Sequence, residues 1–328
     1  MRSVVVGLVL MMAGFVLVSP VSAEVSAKPQ NNGLLDAWQI LEKSAYAARE
    51  LNYEGQFSYV NGDNSRIVDI KHMNYGGHEV ARNIVLNDSN REVFSQGNDI
   101  VIVQPTNKNV MIKKRRGKNL FPAMLPTNLN LIKQNYKAFI AGKETVADHE
   151  ATIVELVPND AYRYRYMVWT DAKFGLILKM TLVDGNNKTL EQIYFNQLSM
   201  LNSQDLNWFQ PKIEIGKEYV TEQSKAVKHV DDDLIMTNLP VGYQQIDHIQ
   251  RVKSGGSKVD QLVFSDGIGS VSVFIEPMTK GKRPKKGVMP MGSTNMCALV
   301  TNGHQIVVVG EAPARAVKSI AEAVSFKK

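Results

Sequence analysis

The 328-residue chain reads as a mainly β protein with some α. The expected fold is a large unclosed antiparallel barrel covered by helices, followed by a smaller α+β domain. Three observations carry this. Short alternating segments recur with turn residues between them from residue 55 to residue 198. Helix-length periodicity is confined to a few places. A charged, irregular run at 212–233 separates this series from a second, shorter set of strand signals.

The first 23 residues read as an export signal. Arg2 is a short basic region, residues 4–18 are apolar, and Val21-Ser22-Ala23 supplies small residues for cleavage before Glu24. The apolar run is short for a membrane span. No cysteine follows the cut, so the new N-terminus is not lipidated. Removing Arg2 takes the formal charge from +6 to +5. In an exported protein this excess points to anionic lipid headgroups or an acidic protein, and away from nucleic acid. The single cysteine, Cys297, cannot form an internal disulfide and sits in an apolar strand-like run, as a buried thiol would.

After a polar leader, Leu34, Trp38, Leu41, Ala45 and Ala48 form one face of a helix of about four turns, suited to covering a sheet. Strands are expected at 55–60 and 65–75 around Asn61-Gly62-Asp63-Asn64, then at 79–86, 91–96, 100–104 and 110–113. A helix is expected near 128–134, and strands at 136–142 and 152–157. The most regular stretch is 162–198. Tyr162, Tyr164, Tyr166 and Val168 alternate with Arg163, Arg165, Met167 and Trp169; Leu176, Leu178, Met180 and Leu182 line one face of the next strand; 189–198 forms a third. This meander is apolar enough to need a helix or a ligand across it. The expected domains are therefore 34–211 for the barrel, 212–233 for a linker and candidate hinge, and 234–328 for the small domain.

In the small domain, Leu239-Pro240-Val241-Gly242-Tyr243 opens a strand, and 258–265 and 270–276 flank Asp266-Gly267-Ile268-Gly269. Residues 277–292 read as a long loop. Asn302-Gly303 joins strands at 295–301 and 304–310, and Pro313 starts a helix with Ala314, Val317, Ile320 or Ala321, and Val324 on its apolar stripe.

Signs of catalysis are missing. The six histidines form no HExxH or close pair, and no G-x-S-x-G elbow, P-loop or dinucleotide fingerprint occurs. The expectation is a non-enzyme without metal or cofactor. Two basic clusters remain. Lys113, Lys114, Arg115, Arg116 and Lys118 precede Met124, Leu125 and Leu129, a juxtaposition suited to an amphiphile with its headgroup on the cations. Lys280, Lys282, Arg283, Lys285 and Lys286 crowd the long loop. Each cluster reads plainly as a solvated loop, and more sharply as a contact for phosphate or acidic side chains. The candidate lipid site thus comprises Tyr164, Tyr166, Trp169, Leu178 and Met180 with Lys114, Arg115 and Arg116. Core packing is the alternative for the five apolar members. The candidate partner site is Lys282, Arg283, Lys285 and Lys286.

These motifs together resemble the RseB/MucB family. The resemblance rests on Arg91-Glu92-Val93-Phe94, Gly97-Asn98 with Ile100 and Pro105, Tyr162-Arg163-Tyr164 and Val168-Trp169-Thr170-Asp171. It continues in Leu190-Glu191-Gln192 after Asp184-Gly185, Leu239-Pro240-Val241-Gly242-Tyr243, Phe264-Ser265-Asp266-Gly267, and Val309-Gly310-Glu311-Ala312-Pro313. Near residues 151–155 some members carry a cysteine that this chain lacks. The resemblance implies a LolA/LolB-like large domain in a periplasmic negative regulator of the envelope-stress sigma factor. Such a protein binds the periplasmic part of a membrane anti-sigma factor, mainly through the small domain, and shields it from proteolysis. Lipopolysaccharide or a related lipid displaces it, and a homo-oligomer is compatible with the role. The rival readings are a lipoprotein carrier of the LolA type, which would have little use for a second domain, and an exported hydrolase.

Overall fold

The computed structural model describes residues 36–86, 91–97, 99–104, 109–114, 120–202, 205–209, 220–223, 234–252, 258–279 and 283–327. The proposed signal segment and most of the expected linker lie outside these residues.

Helix α1 (Ala37–Glu50) begins at a capping box. Asp36 accepts from the Gln39 amide while the Gln39 side chain accepts from the Asp36 amide. Its buried face carries Ala37, Leu41, Ser44, Ala45 and Ala48. Strands β1 (Tyr53–Asn61), β2 (Asn64–Tyr75), β3 (His78–Val85), β4 (Glu92–Gln96), β5 (Asp99–Gln104) and β6 (Asn109–Lys114) follow as an antiparallel series. Helix α2 (Asn130–Asn135) leads into β7 (Tyr136–Val146), β8 (His149–Pro158), β9 (Arg165–Asp171), β10 (Ile177–Val183) and β11 (Thr189–Met200). A 3₁₀ turn at Leu206–Phe209 precedes β12 (Val220–Gln223).

These strands make one 12-stranded sheet, in the order β12-β6-β5-β4-β3-β2-β1-β11-β10-β9-β8-β7. β1 pairs with β11, so the two halves of the series join, while β12 and β7 are the edges among the described strands. The barrel is unclosed, as expected. Within the expected linker, the described strand β12 pairs parallel with β6, the one parallel pairing among the described strands of this sheet. The meander is present as β9-β10-β11, but β9 starts at Arg165, and Tyr162, Arg163 and Tyr164 stand ahead of it in a turn. In β10, the register shifts between Ile177 and Lys179, which places Leu178 in a bulge.

Helix α1 covers the apolar face of this sheet. Leu41, Ala45 and Ala48 share a core with Tyr53, Phe57, Val154, Leu156, Val168 and Met180. Residues 120–129 complete the cover. Phe121 packs between Phe57 and Phe195, with ring centroids 5.0 and 4.9 Å away, and Leu125 is fully buried. The two helices are tied together by Lys133, which donates to Glu42 at 2.6 Å.

The smaller sheet is formed by β14 (Gln244–Val252), β15 (Lys258–Ser265), β16 (Ser270–Pro277), β17 (Gly287–Met291), β18 (Thr294–Thr301) and β19 (His304–Gly310), in the order β14-β15-β16-β19-β18-β17. β17 lies inside the stretch expected as a long loop. It forms an exposed edge strand carrying Pro290, a residue that suits an edge because it has no N–H to pair. Helix α3 (Ala314–Glu322) buries Ala316, Val317, Ile320 and Ala321, with Pro313 at its N-cap. Ala314, expected on that stripe, is exposed, and Val324 is buried in strand β20 (Val324–Phe326). β20 pairs with β13 (Leu234–Met236). Cys297 is free and buried in the core under α3.

Candidate functional site

The polar chemistry of the molecule concentrates where the small sheet meets the large one. Three of the motifs quoted above meet there: Tyr162-Arg163-Tyr164 from the turn before β9, Val241-Gly242-Tyr243 from the turn before β14, and Asp266 with its neighbours from the β15–β16 hairpin.

Arg163 is the hub, with a fully buried side chain. One terminal nitrogen bonds Asp160, and the other donates to the Val241 carbonyl at 2.6 Å. Its Nε lies 3.3 Å from Asp266 Oδ2, an ion pair without hydrogen-bond alignment. The guanidinium sits 4.9 Å from the centroid of the Tyr243 ring, a cation–π contact. Asp266 is as deeply buried. Its Oδ2 accepts from the Tyr136 hydroxyl at 3.0 Å, and its Oδ1 accepts from the amides of Ile268 (3.1 Å) and Gly269 (2.8 Å). Burial pushes the Asp266 carboxyl up from its ordinary range, while the two amides, Arg163 and Tyr136 pull it back. Burial, then the Asp266 charge, holds Tyr136 and Tyr166 well above the usual phenol value.

Asn135, the last residue of α2, donates from one amide nitrogen to the carbonyls of Gly242 (3.2 Å) and Asp266 (3.0 Å). Gly242 is required here. Its φ is 85°, and a Cβ would stand 1.8 Å from the Asn135 side-chain oxygen. Tyr243 donates its hydroxyl to the Tyr162 carbonyl at 3.0 Å. Further along the seam, Asn61 donates to Ser293, Ser293 donates to Glu191, and Asn295 donates to the Tyr164 hydroxyl and the Ala312 carbonyl. Beside these contacts runs an open groove of about 650 Å³. The turn 184–187, Arg163 and Arg165 form one wall, and Gly292, Asn295 and Pro313 the other.

The apolar lipid candidates divide. Tyr166 and Met180 are brought together on the covered face, where they line a void with Met124, Leu182, Ile193 and Ile268 and with the carboxylate residues Glu191 and Glu311. That void is about 20 Å³, room for about one water and no chain. Leu178 is fully buried in the core. Tyr164 serves the seam through Asn295. Trp169 is on the opposite face of β9, where its indole donates to Glu144 at 2.5 Å and Lys179 lies 4.2 Å from its ring. The side chain of Lys114, with Arg115 and Arg116, lies outside the described residues, as does Lys282. Arg283, Lys285 and Lys286 are exposed just before the edge strand β17, and the Lys285 backbone is held by Gln305. Arg163, Asp266 and Asn135 were missed as site residues. The signal available was a buried-type motif with charges inside it.

Among the described residues no group of three or more His, Cys, Asp or Glu is placed to hold a metal ion. No described helix is long and apolar enough to cross a membrane. The arrangement is a docking seam with paired charges.

Two family models match the chain in order: the MucB/RseB N-terminal domain over residues 36–213 and the MucB/RseB C-terminal domain over residues 230–325. The chain belongs to the MucB/RseB family. It is 24% identical over 294 residues to the sigma-E factor regulatory protein RseB of Haemophilus influenzae, covering 89% of this chain and 92% of that protein. With the sigma factor AlgU regulatory protein MucB of Pseudomonas aeruginosa it shares 27% over 184 residues, which is 54% of this chain and 57% of the relative. In three dimensions it resembles MucB as crystallised in complex with MucA(peri), with a TM-score of 0.72 and 22% identity, covering 89% of this chain and 100% of that one. The match to MucB crystallised without that partner has a TM-score of 0.64 and 22% identity, over 89% and 98% of the two chains.

Proposed function

We propose that this chain is an exported regulator that holds an envelope-stress sigma factor inactive. It binds the periplasmic region of a membrane-spanning anti-sigma factor and shields that region from the protease that begins its destruction. It works by binding and not by catalysis. The observation that carries the reading is the match of both family domains, in order, along nearly the whole described chain. The 0.72 TM-score against a MucB crystallised with MucA(peri) shows that the fold is the same, and the family supplies the role.

The seam groove supports the reading physically. It is open, about 650 Å³, and lined by carboxylate, guanidinium and amide groups suited to an extended polypeptide. Arg283, Lys285 and Lys286 add an exposed cationic flank for acidic side chains. Lipopolysaccharide or another anionic lipid releases the partner, with acyl chains taken up beside Tyr166 and Met180. The carrier alternative is less well supported, because the chain also matches the MucB/RseB C-terminal domain over residues 230–325, a second domain for which a carrier has little use.

The test is co-purification. The mature chain, residues 24–328, is immobilised and exposed to envelope extract from its own organism, with and without lipopolysaccharide. Recovery of a single-span protein with a cytoplasmic sigma-binding domain, lost on adding lipid, is the expected result. Recovery of outer-membrane lipoproteins in its place would favour the carrier.

A further inference from the structure

We propose that Met289 and Met291, on the exposed edge strand β17, are an oxidation site: conversion of their thioethers to sulfoxides weakens the hold on the anti-sigma segment. The inference rests on the partner-binding arm of the function proposed above and adds a chemical control to it.

Met289 stands directly across from Met296 of β18, and Met296 directly across from Val309 of β19. Met291, two residues along β17, shares the face of Met289. This is the face that α3 leaves uncovered, because Cys297 and Val308, each one step away on its strand, pack in the core under that helix. Met289 and Met291 are 53% and 48% exposed. Every other methionine among the described residues is buried or half-buried. The single cysteine, Cys297, is buried, so no exposed thiol takes an oxidant first. A solvent-borne oxidant therefore meets these two sulfurs before the rest.

The surroundings give the oxidation a consequence. Residues 283–292 are exposed without interruption. Arg283, Lys285 and Lys286 stand at one end, and Gln305 fixes the Lys285 backbone by accepting from its amide at 2.8 Å and donating to its carbonyl at 2.9 Å. The two thioethers stand at the other end, and Gly292 then enters the wall of the seam groove. An extended segment leaving the groove along this edge meets flexible, polarizable apolar side chains and then cations, so it carries apolar residues followed by acidic ones. Hypochlorous acid transfers its oxygen to a thioether sulfur: the sulfur gives up two electrons, chlorine leaves as chloride and the hydroxyl proton goes to water. The sulfoxide is polar and chiral, which disrupts a methionine-lined contact. A methionine sulfoxide reductase reverses the step by oxidising two thiols to a disulfide and releasing water.

The test treats the mature chain with limiting hypochlorous acid, maps the added oxygen by peptide mass, and titrates in the periplasmic segment of the anti-sigma factor recovered by co-purification. Oxygen is expected at Met289 and Met291 before any other described methionine. Binding is expected to weaken about tenfold, the effect of placing a polar group where an apolar one made contact, and to recover after methionine sulfoxide reductase. In Met289→Leu with Met291→Leu, the ratio of treated to untreated affinity is expected to stay near one, because leucine keeps the volume and cannot be oxidised in this way. Met289→Gln with Met291→Gln, a lasting polar mimic, is expected to bind about tenfold more weakly without oxidant while its urea midpoint is unchanged. Oxygen appearing first at other methionines overturns the proposal. So does parent protein oxidised at both positions that binds as well as before, or a Gln variant with normal melting and parental affinity. If the segment binds treated and untreated chain alike, the regulator stands and the oxidation site falls; if it fails to bind the untreated chain, the regulator itself falls.

Discussion

Replacing Arg163 with alanine removes the charge at the centre of the seam. The side chain is fully buried, and Asp266, 3.3 Å from Nε, is almost as deep. The variant leaves a buried carboxylate with no cation and strips the Val241 carbonyl of its donor. Breaking a buried pair from one side costs about 3–5 kcal/mol. Asp266 keeps two backbone amides and the Tyr136 hydroxyl, so the lower end, about 3 kcal/mol, is expected near neutral pH. Urea unfolding followed by tryptophan fluorescence measures it, with Trp169 beside the meander core and Trp208 in the 3₁₀ turn as reporters. A double-mutant cycle sharpens the claim. In an Asp266→Asn background there is no charge to strand, and the cost of Arg163→Ala should shrink by about 1–3 kcal/mol. A cost below about 1 kcal/mol in the parent, or one unchanged by Asp266→Asn, would refute the view that this ion pair fastens the two sheets.

Gly242→Ala should destabilise by at least about 1–3 kcal/mol in urea melts, since a Cβ at φ 85° would collide with the Asn135 side chain. Leu41→Ala, at a fully buried position of α1, should cost about 2–5 kcal/mol in the same assay, because α1 is the cover of the large sheet. The pH dependence of Asp266→Asn has a definite sign. The carboxyl is raised in the folded protein, so its contribution is most favourable below its unfolded value and is lost as pH rises through its folded value; the stability of Asp266→Asn relative to the parent should therefore rise with pH above the ordinary carboxylate range, measured as urea midpoints across that window. Deleting residues 234–328 should abolish capture of the anti-sigma segment in co-purification; retained capture would place the contact on the large domain.

Most of the fold was legible because period-two alternation and turn residues survive tertiary context. The Asn61–Asn64 and Asn302-Gly303 turns joined the strands expected of them, and the stripe of α1 found its sheet. β17 was hidden because its burial is minimal on both faces, so Gly287–Met291 shows no alternation to read. Tyr162 and Tyr164 continue the alternation of β9 by pattern, but the demands of the seam pull them out of the strand: Tyr162 offers its carbonyl to Tyr243, and Tyr164 its hydroxyl to Asn295. The site was harder. Asp266 and Arg163 look like surface charges in sequence, and pairing across 103 positions is a property of the folded chain alone. Trp169 was grouped with Tyr166 by composition, although alternation along the strand already separated their faces.

On the function proposed above, this chain protects an anti-sigma factor. The most direct measurement is the rate at which the membrane protease that initiates its degradation cleaves the purified anti-sigma factor, with and without the mature chain at saturating concentration. The expected result is cleavage slowed severalfold by the mature chain, restored by lipopolysaccharide, and not slowed by a chain lacking residues 234–328. Equal cleavage rates with and without the protein would contradict it.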